Sequence, residues 1–339
     1  MKALITASFD PAAKVRLARH MEVLHEDWKE RQSIYFDGRE FAKRITEAGA
    51  DVLIVEADLV HAEVLDACPL EMIGVCRGDP VNVDLELATK KGIPVFHTPG
   101  RNADAVADLT LAFMLMLVRH LPAVWSTYHD GEATRVTQAS DYLKMYTRFT
   151  GVELGGLTVG LVGLGAVGRQ VAARLAAFKT RILAYDPYVH DLPGVTLCDL
   201  DTLLRDADIV SLHAPVTPET QGLVSAERLA LMKPSALFVN TARAALTDEN
   251  ALYEMLRSGR LAGAALDVLA EEPLQPGNRF LALPNVVVTP HLGGATTDVT
   301  RHQSDIIVDA MERWLRGERP RWIANPAVLD GRSGAWRRI

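Results

Sequence analysis

An arginine, a glutamate and a histidine stand at or just beyond the ends of β-like runs in the C-terminal half of the chain. Arg243 closes "FVNTAR", Glu272 lies five residues after Asp267 in "ALDVLAEEP", and His291 closes "VVVTPH". An arginine offers a planar, permanently charged fork that fits a carboxylate and polarises a carbonyl beside it. A histidine changes charge near neutral pH, so it can give and take the proton of a hydroxyl group. A carboxylate next to it favours the imidazolium. Around a 2-hydroxy or 2-keto acid, these three types are what hydride transfer requires. Taken singly, each has an ordinary role. An arginine after a strand makes a surface ion pair, an acid before Pro273 ends a strand, and a histidine in the glycine-rich "TPHLGGAT" shapes a loop.

The partner such chemistry needs is a dinucleotide, and the chain carries a motif for one. "LTVGLVGLGAVGRQVAARLAAF" places Gly163, Gly165 and Gly168 as G-x-G-x-x-G, after a β-like run and at the opening of a helical one. The first glycine permits a tight turn and the second lets the backbone approach a pyrophosphate. The third allows close packing of helix on strand. The phosphates then sit on the free N–H groups of the helix N-terminus. The next β-like run ends in Asp186, 18 residues after Gly168. A carboxylate there accepts hydrogen bonds from the ribose hydroxyls and repels a 2′-phosphate, which favours NAD over NADP. Alone, the glycines fit a plain βα turn and Asp186 fits a turn residue before Pro187.

These residues need a scaffold, and the chain supplies a repeating one. "KALITA" (2–7), "ADVLIVEA" (50–57), "EMIGVCRG" (71–78) and "IPVFHT" (93–98) read as buried strands, with a helical stretch near 11–25 and further helical segments between them. A second series runs through 157–163, 180–186, 207–213, 236–241, 261–268 and 285–290. Strands alternating with helices imply an α/β fold with parallel sheets covered on both faces. One helix is well signed, with Thr247 as cap, Asp248 and Glu249 in the first turn and Gly259 after the last apolar turn. Long helices are expected over 102–120 and 298–317. Residues 121–150 are less regular and carry Trp125, Tyr128, Tyr142, Tyr146 and Phe149. They read equally as a helix and loop packed on another subunit or as a surface connection. The tail "GRSGAWRRI" is left as disordered or packed on a neighbour.

Composition narrows the class. With 339 residues there is room for two domains. A net charge of −7 argues against nucleic acid or an anionic membrane as the main partner. The most apolar run, Leu109 to Val118, is too short to span a bilayer and reads as a buried helix. Cys68, Cys76 and Cys198 show no metal-binding spacing and fit reduced thiols in a cytoplasm, so no metal is expected.

Taken together, the motifs resemble the D-isomer-specific 2-hydroxyacid dehydrogenases, especially their phosphoglycerate dehydrogenase-like branch. The resemblance runs from about residue 50 to 330. It rests on "VCRGDPVNVD" (75–84), "GIPVFHTPGRNADAVAD" (92–108), "GVELGGLTVGLVGLGAVGR" (151–169), "SLHAPVTPET" (211–220), "MKPSALFVNTARAALTDENAL" (232–252), "AGAALDVLAEEPL" (262–274) and "VVVTPHLGGAT" (286–296). It implies a Rossmann NAD-binding domain (102–296) inserted into a flavodoxin-like substrate domain (1–101 and 297–339), with the active site in the cleft between them. It implies Arg243 as the substrate-binding arginine, His291 as acid/base and Glu272 as its partner. Asp267 corresponds to a residue near the nicotinamide carboxamide. Substrate contacts fall on Cys76, Arg77, Gly78, Arg243 and His291, the loop from Cys76 to Pro80 offering backbone N–H groups to the substrate carboxylate. Cofactor contacts fall on Gly163, Gly165, Ala166, Val167, Gly168, Asp186, His213, Pro215, Thr220, Thr241, Ala242, Asp267 and Gly293. A homodimer or homotetramer is implied.

Several residues depart from the family pattern. Ala244 follows the arginine where the family usually has glycine, so a slightly different backbone is expected there. Asp79 stands where a small residue is usual, and a carboxylate beside a phosphate disfavours phosphoglycerate itself unless Arg77 offsets it. The connection before Gly151 is longer than usual. Only 48 residues follow His291, so no regulatory C-terminal domain and no serine feedback of that type are expected. The expected activity is the interconversion of a D-2-hydroxy acid and its 2-keto acid, of phosphoglycerate, glycerate/hydroxypyruvate, glyoxylate or sugar-acid type. Formate dehydrogenases pair the histidine with glutamine, which Glu272 speaks against. Corepressors of the C-terminal-binding-protein type share the three residues but work as NAD-sensing interaction proteins, and nothing here resembles their extended tails.

Overall fold

Long apolar runs without alternation, such as Val52–Val55 and Met72–Val75, are strands buried on both faces, as a parallel sheet between two helical layers demands. A computed structural model describes residues 1–129, 136 and 138–332. The chain divides into two compact units, Met1–Arg101 with Thr296–Ile339, and Asn102–Ala295.

The first unit holds β1 (Lys2–Ile5), β2 (Glu22–His25), β3 (Val52–Val55), β4 (Met72–Val75) and β5 (Val95–His97). They pair in the order β2-β1-β3-β4-β5, all parallel. That is the flavodoxin-like order, with its reversal between β1 and β3. One face buries Leu4, Leu53, Ile73 and Val95 against Phe41 and Ile45 of helix Gly38–Ala48. The other buries Ile5, Ile54 and Phe96 against the returning helix Thr297–Leu315, whose Ile307, Val308, Met311 and Trp314 form its inward stripe. Each such side chain contributes about 1.5–3 kcal/mol on leaving water.

The helical stretch expected near 11–25 is two elements. A helix ends at Leu17 and Glu22–His25 is the edge strand β2. Leu17, Met21 and Leu24 keep a helical spacing across the turn, which hides the change of structure in the sequence.

The second unit holds β6 (Thr158–Val162), β7 (Arg181–Tyr185), β8 (Thr196–Leu197), β9 (Ile209–Leu212), β10 (Leu237–Asn240), β11 (Gly263–Leu266) and β12 (Val286–Val288). The order β12-β11-β10-β9-β6-β7-β8 is all parallel and is the Rossmann order extended by one strand. Its reversal lies between β9 and β6, where ligands bind beyond the carboxyl ends of the strands. Helix Ala103–Val118 buries Ala107, Leu111, Met114 and Leu117 with Leu161 and Val171 in the core of this unit. Among the described residues no single helix is long and apolar enough to cross a membrane, although this helix and Leu121–His129 together pass that test as a pair bent by 69°.

Helix Glu249–Arg257 is capped by Asp248, whose carboxylate accepts the N–H of Ala251, rather than by Thr247. Thr247 is buried instead. Residues 121–150 contain helices Leu121–His129 and Ala139–Arg148, which expose Trp125, Tyr128, Tyr142 and Tyr146. The end of the C-terminal tail, 333–339, lies outside the described residues.

Candidate active site

The nucleotide motif occupies the turn from β6 into helix Ala166–Ala177. Gly163 sits at φ +100°, and a Cβ there would lie 2.8 Å from the backbone N of Ala214. A Cβ on Gly168 would lie 2.1 Å from the Gly163 carbonyl oxygen. Both positions therefore require glycine. Gly165, the N-cap, faces open space and no side chain caps the helix that follows, so its first N–H groups are free for an anion. Asp186 closes the site from β7. One carboxylate oxygen accepts Leu164 N at 2.7 Å and the other accepts Tyr188 N at 2.9 Å.

These loops line a cavity of ≈ 370 Å³, together with His213, Pro215 and Thr220, which follow β9. The wall also includes Tyr185, Pro187, Tyr188, Val189 and Thr217, to which the glycine motif does not point. The signal available for them was the "YDPY" run at the end of β7. The free helix N-terminus, the open side of Gly165 and an acid at the far wall suit a dinucleotide. Of the other expected cofactor contacts, Ala166 and Val167 form the first helical turn. Thr241 is buried and its hydroxyl meets that of Thr110 at 2.9 Å, while the N–H of Ala242 donates to the Asn240 side chain at 3.0 Å. Both are committed inside the protein.

His213 backs the glycine turn. It is 9% exposed, its Nε2 lies 3.0 Å from Ser211 Oγ, and its Nδ1 has no partner among the described residues. Burial pushes its imidazole down to about 3. A histidine in an unfolded chain titrates near 6.5. Below that pH the unfolded state binds a proton that the folded state refuses. The stability contribution is thus whole above about 6.5 and is lost as pH falls toward 3. Thermal melts of the cofactor-free protein should show Tm falling over this window, less steeply in His213→Asn. Parallel slopes for the two proteins would rule out this origin.

The charged residues follow three adjacent strands. Asn240 pairs with Leu266, and Leu266 with Val288. Arg243, Asp267 and His291 stand three, one and three residues beyond those aligned ends. His291 Nδ1 lies 2.8 Å from Glu272 Oε2, and Glu272 Oε1 accepts Leu269 N at 3.2 Å. With a carboxylate opposite, Nδ1 is the donor, so Nε2 is left to face a substrate. Both side chains are partly exposed, at 44% and 39%, and border one pocket with Leu269, Pro273 and Leu274. Arg243 is exposed, and its Nη1 donates to the Ala242 carbonyl at 2.7 Å. Among the described residues no hydrogen bond or ion pair joins it to His291 or Glu272. Ala244 needs no positive φ, so alanine replaces glycine there without strain.

Asp267 is 1% exposed. Its Oδ1 accepts Thr289 Oγ1 at 2.5 Å and Leu292 N at 2.7 Å, and its Oδ2 accepts Gly293 N at 2.8 Å.

In the first unit, the loop after β4 divides. Cys76 is fully buried and its N–H donates to the Val55 carbonyl at 2.7 Å, so it offers no donor to a ligand. It continues the β4 ladder by one residue, which the sequence does not reveal. The amides of Arg77, Gly78 and Asp79 have no partner among the described residues. His97 Nδ1 donates to the Gly78 carbonyl at 2.9 Å and steadies the loop. Among the described residues no three His, Cys, Asp or Glu side chains gather as metal ligands.

The NAD-binding-domain model of the D-isomer specific 2-hydroxyacid dehydrogenases matches residues 111–293, more than half of the chain. The chain belongs to this family. The dehydrogenase uses NAD and interconverts 2-hydroxy and 2-keto acids. It is 41% identical over 323 residues to the YoaD protein of Bacillus subtilis (strain 168), covering 94% of this chain and 92% of that one. It is 37% identical to a glyoxylate reductase of Thermofilum pendens, covering 91% and 90%. The crystal structure of the TT0316 protein from Thermus thermophilus superposes with a TM-score of 0.79 at 38% identity, covering 96% and 100%. The dehydrogenase spans about half the length of the phosphoglycerate dehydrogenases it matches, 50% of one from Methanocaldococcus jannaschii.

Proposed function

We propose that this dehydrogenase reduces a small, unphosphorylated 2-keto acid of the glyoxylate or hydroxypyruvate type, with His291, Glu272 and Arg243 as its working side chains. The observation that carries the reading is the 2.8 Å contact between His291 Nδ1 and Glu272 Oε2, which leaves Nε2 as the atom free to give and take a proton. Gly163, Gly165, Gly168 and Asp186 would hold NADH, which when bound would supply the hydride for C2. Arg243 presents its fork to the substrate carboxylate and draws electron density from the adjacent carbonyl. His291 Nε2–H gives its proton to the carbonyl oxygen as that oxygen becomes a hydroxyl, and Glu272 balances the charge on the ring through Nδ1–H. The amides of Arg77, Gly78 and Asp79, in the first unit, have no partner among the described residues and are donors of the kind a carboxylate takes. In oxidation the same groups act in reverse.

Asp79 argues for the unphosphorylated class, because its exposed carboxylate stands in the donor loop and repels a phosphate. The similarity to a glyoxylate reductase over nine-tenths of each chain points the same way. The reading extends to a homodimer or homotetramer, favoured by the exposed Trp125, Tyr128, Tyr142 and Tyr146. A cytoplasmic location is favoured by three free cysteines.

A screen of 2-keto acids with NADH tests the substrate class. Glyoxylate or hydroxypyruvate should give the highest kcat/KM, and 3-phosphohydroxypyruvate a value at least about tenfold lower, equal to about 1.4 kcal/mol of lost transition-state binding. A preference for the phosphorylated acid would overturn the assignment.

A further inference from the structure

We propose that His97 is a positioning residue for the substrate carboxylate: its imidazole N–H, together with the backbone N–H of Thr98, turns two amides of the loop after β4 toward the ligand. The proposal rests on the reading that this loop receives the carboxylate.

β5 supplies both groups. Its residues alternate between the faces of the sheet. Phe96 packs on the side of the returning helix, while Val95 belongs to the opposite face. His97 follows Val95 on that face and ends the strand. The strand is fixed from the C-terminal segment. The N–H of Ala324 donates to the Val95 carbonyl at 2.7 Å, and Asn325 Oδ1 accepts the N–H of Val95 at 2.8 Å. The N–H of His97 itself donates to the Trp322 carbonyl at 3.4 Å. The imidazole therefore stands on a rigid base.

From there two successive carbonyls are held. The N–H of Thr98, a fully buried residue, donates to the Arg77 carbonyl at 2.8 Å. His97 Nδ1 lies 2.9 Å from the Gly78 carbonyl oxygen. A carbonyl only accepts, so Nδ1 carries the hydrogen. Both peptide units are trans. In a planar trans unit the next residue's N–H points opposite to the carbonyl. The amides of Gly78 and Asp79 are thereby turned away from β5, and neither has a partner among the described residues. Two neighbouring N–H donors match the two oxygens of a carboxylate, which strengthens each bond by its charge. The loop also rests on the strand exit, because a Cβ on Gly78 would lie 3.8 Å from Pro99 Cα and from the Thr98 carbonyl oxygen. The imidazole is needed because residue 78 is glycine. The peptide that follows a glycine swings at little steric cost, and among the described residues the Gly78 carbonyl has no other partner.

The test compares His97→Leu and His97→Asn with the wild-type protein. Leucine fills the space and removes the donor. Asparagine places an amide nitrogen where Nδ1 stands and keeps it. At saturating NADH, His97→Leu should raise KM for glyoxylate about tenfold, on the order of one hydrogen bond's worth. Its kcat should be unchanged, because the carboxylate is held alike before and during hydride transfer. His97→Asn should match wild type. The Asp79 amide can be watched directly. Gly-Asp occurs once in the sequence, so carbonyl-¹³C glycine with ¹⁵N aspartate singles out that N–H in NMR spectra. Oxamate, a 2-oxo carboxylate that resists reduction, should shift this signal in the NADH-loaded wild-type protein and in His97→Asn, and far less in His97→Leu. If His97→Leu does not fold, His97→Ala, which removes the ring, replaces it.

A wild-type KM in His97→Leu would overturn the proposal, as would equal loss in His97→Leu and His97→Asn, or a fall in kcat with KM unmoved. An Asp79 signal that ignores oxamate in the wild-type protein would defeat the carboxylate reading of the loop instead. The ligand-free position of that signal, displaced in His97→Leu and kept in His97→Asn, would still report on the clamp.

Discussion

Replacing His291 by alanine is expected to lower turnover by about 10²–10⁴-fold, the usual worth of acid/base catalysis, while NADH binding is retained. The separation follows from the geometry. His291 lies beyond β12, whereas the glycine turn and Asp186 that would hold the nucleotide lie beyond β6 and β7, on the other side of the sheet order. Among the described residues His291 makes its side-chain bond to Glu272 alone. Fluorescence titration with NADH measures one property and steady-state reduction of a keto acid the other. A variant that loses both together would point to a collapsed loop. Unchanged turnover would remove His291 from the chemistry.

The second large effect is expected at Arg243. A hydrogen bond to a charged group is worth about 1.5–3 kcal/mol, and an arginine fork makes two of them to one carboxylate. Arg243→Ala should therefore lower kcat/KM for the keto acid by about 10²-fold or more. Most of the loss should fall in KM where the fork serves binding, and in kcat where it polarises the carbonyl. Arg243→Lys keeps the charge and loses the planar fork, so it should lie between the two. The guanidinium is exposed and its one bond among the described residues is to its neighbour's carbonyl, so folding should survive either change. Normal kinetics on every acceptor would reject the role.

Local chemistry made much of this arrangement readable in advance. Parallel strands buried on both faces appear as short runs of valine, isoleucine and leucine. A glycine pattern between such a run and a helix has few structural explanations. His291 and Arg243 could be singled out because the sheet type fixes which strand ends face a ligand. What stayed hidden depends on groups brought together from far along the chain. The helical spacing of Leu17, Met21 and Leu24 concealed β2, whose identity comes from pairing with β1. That the hydroxyl of Thr241 meets that of Thr110, 131 residues earlier, is another such contact. Cys76 sits in a donor loop by sequence, but its amide extends the β4 ladder to Val55. Asp267 offered no sign that its partners would be Thr289, Leu292 and Gly293, because those contacts exist only once β11 and β12 are paired. The contact between His291 and Glu272, 19 residues apart, has the same origin.

Hydride delivery to C2 of a 2-keto acid, with protonation of its oxygen, underlies every role given to these side chains. It can be followed by reducing hydroxypyruvate with NADH deuterated at the transferable position and analysing the product by NMR and chiral chromatography. The expected product is a D-2-hydroxy acid bearing deuterium at C2, formed far more slowly by His291→Ala. Product without deuterium at C2, or of the L configuration, would be incompatible with this chemistry.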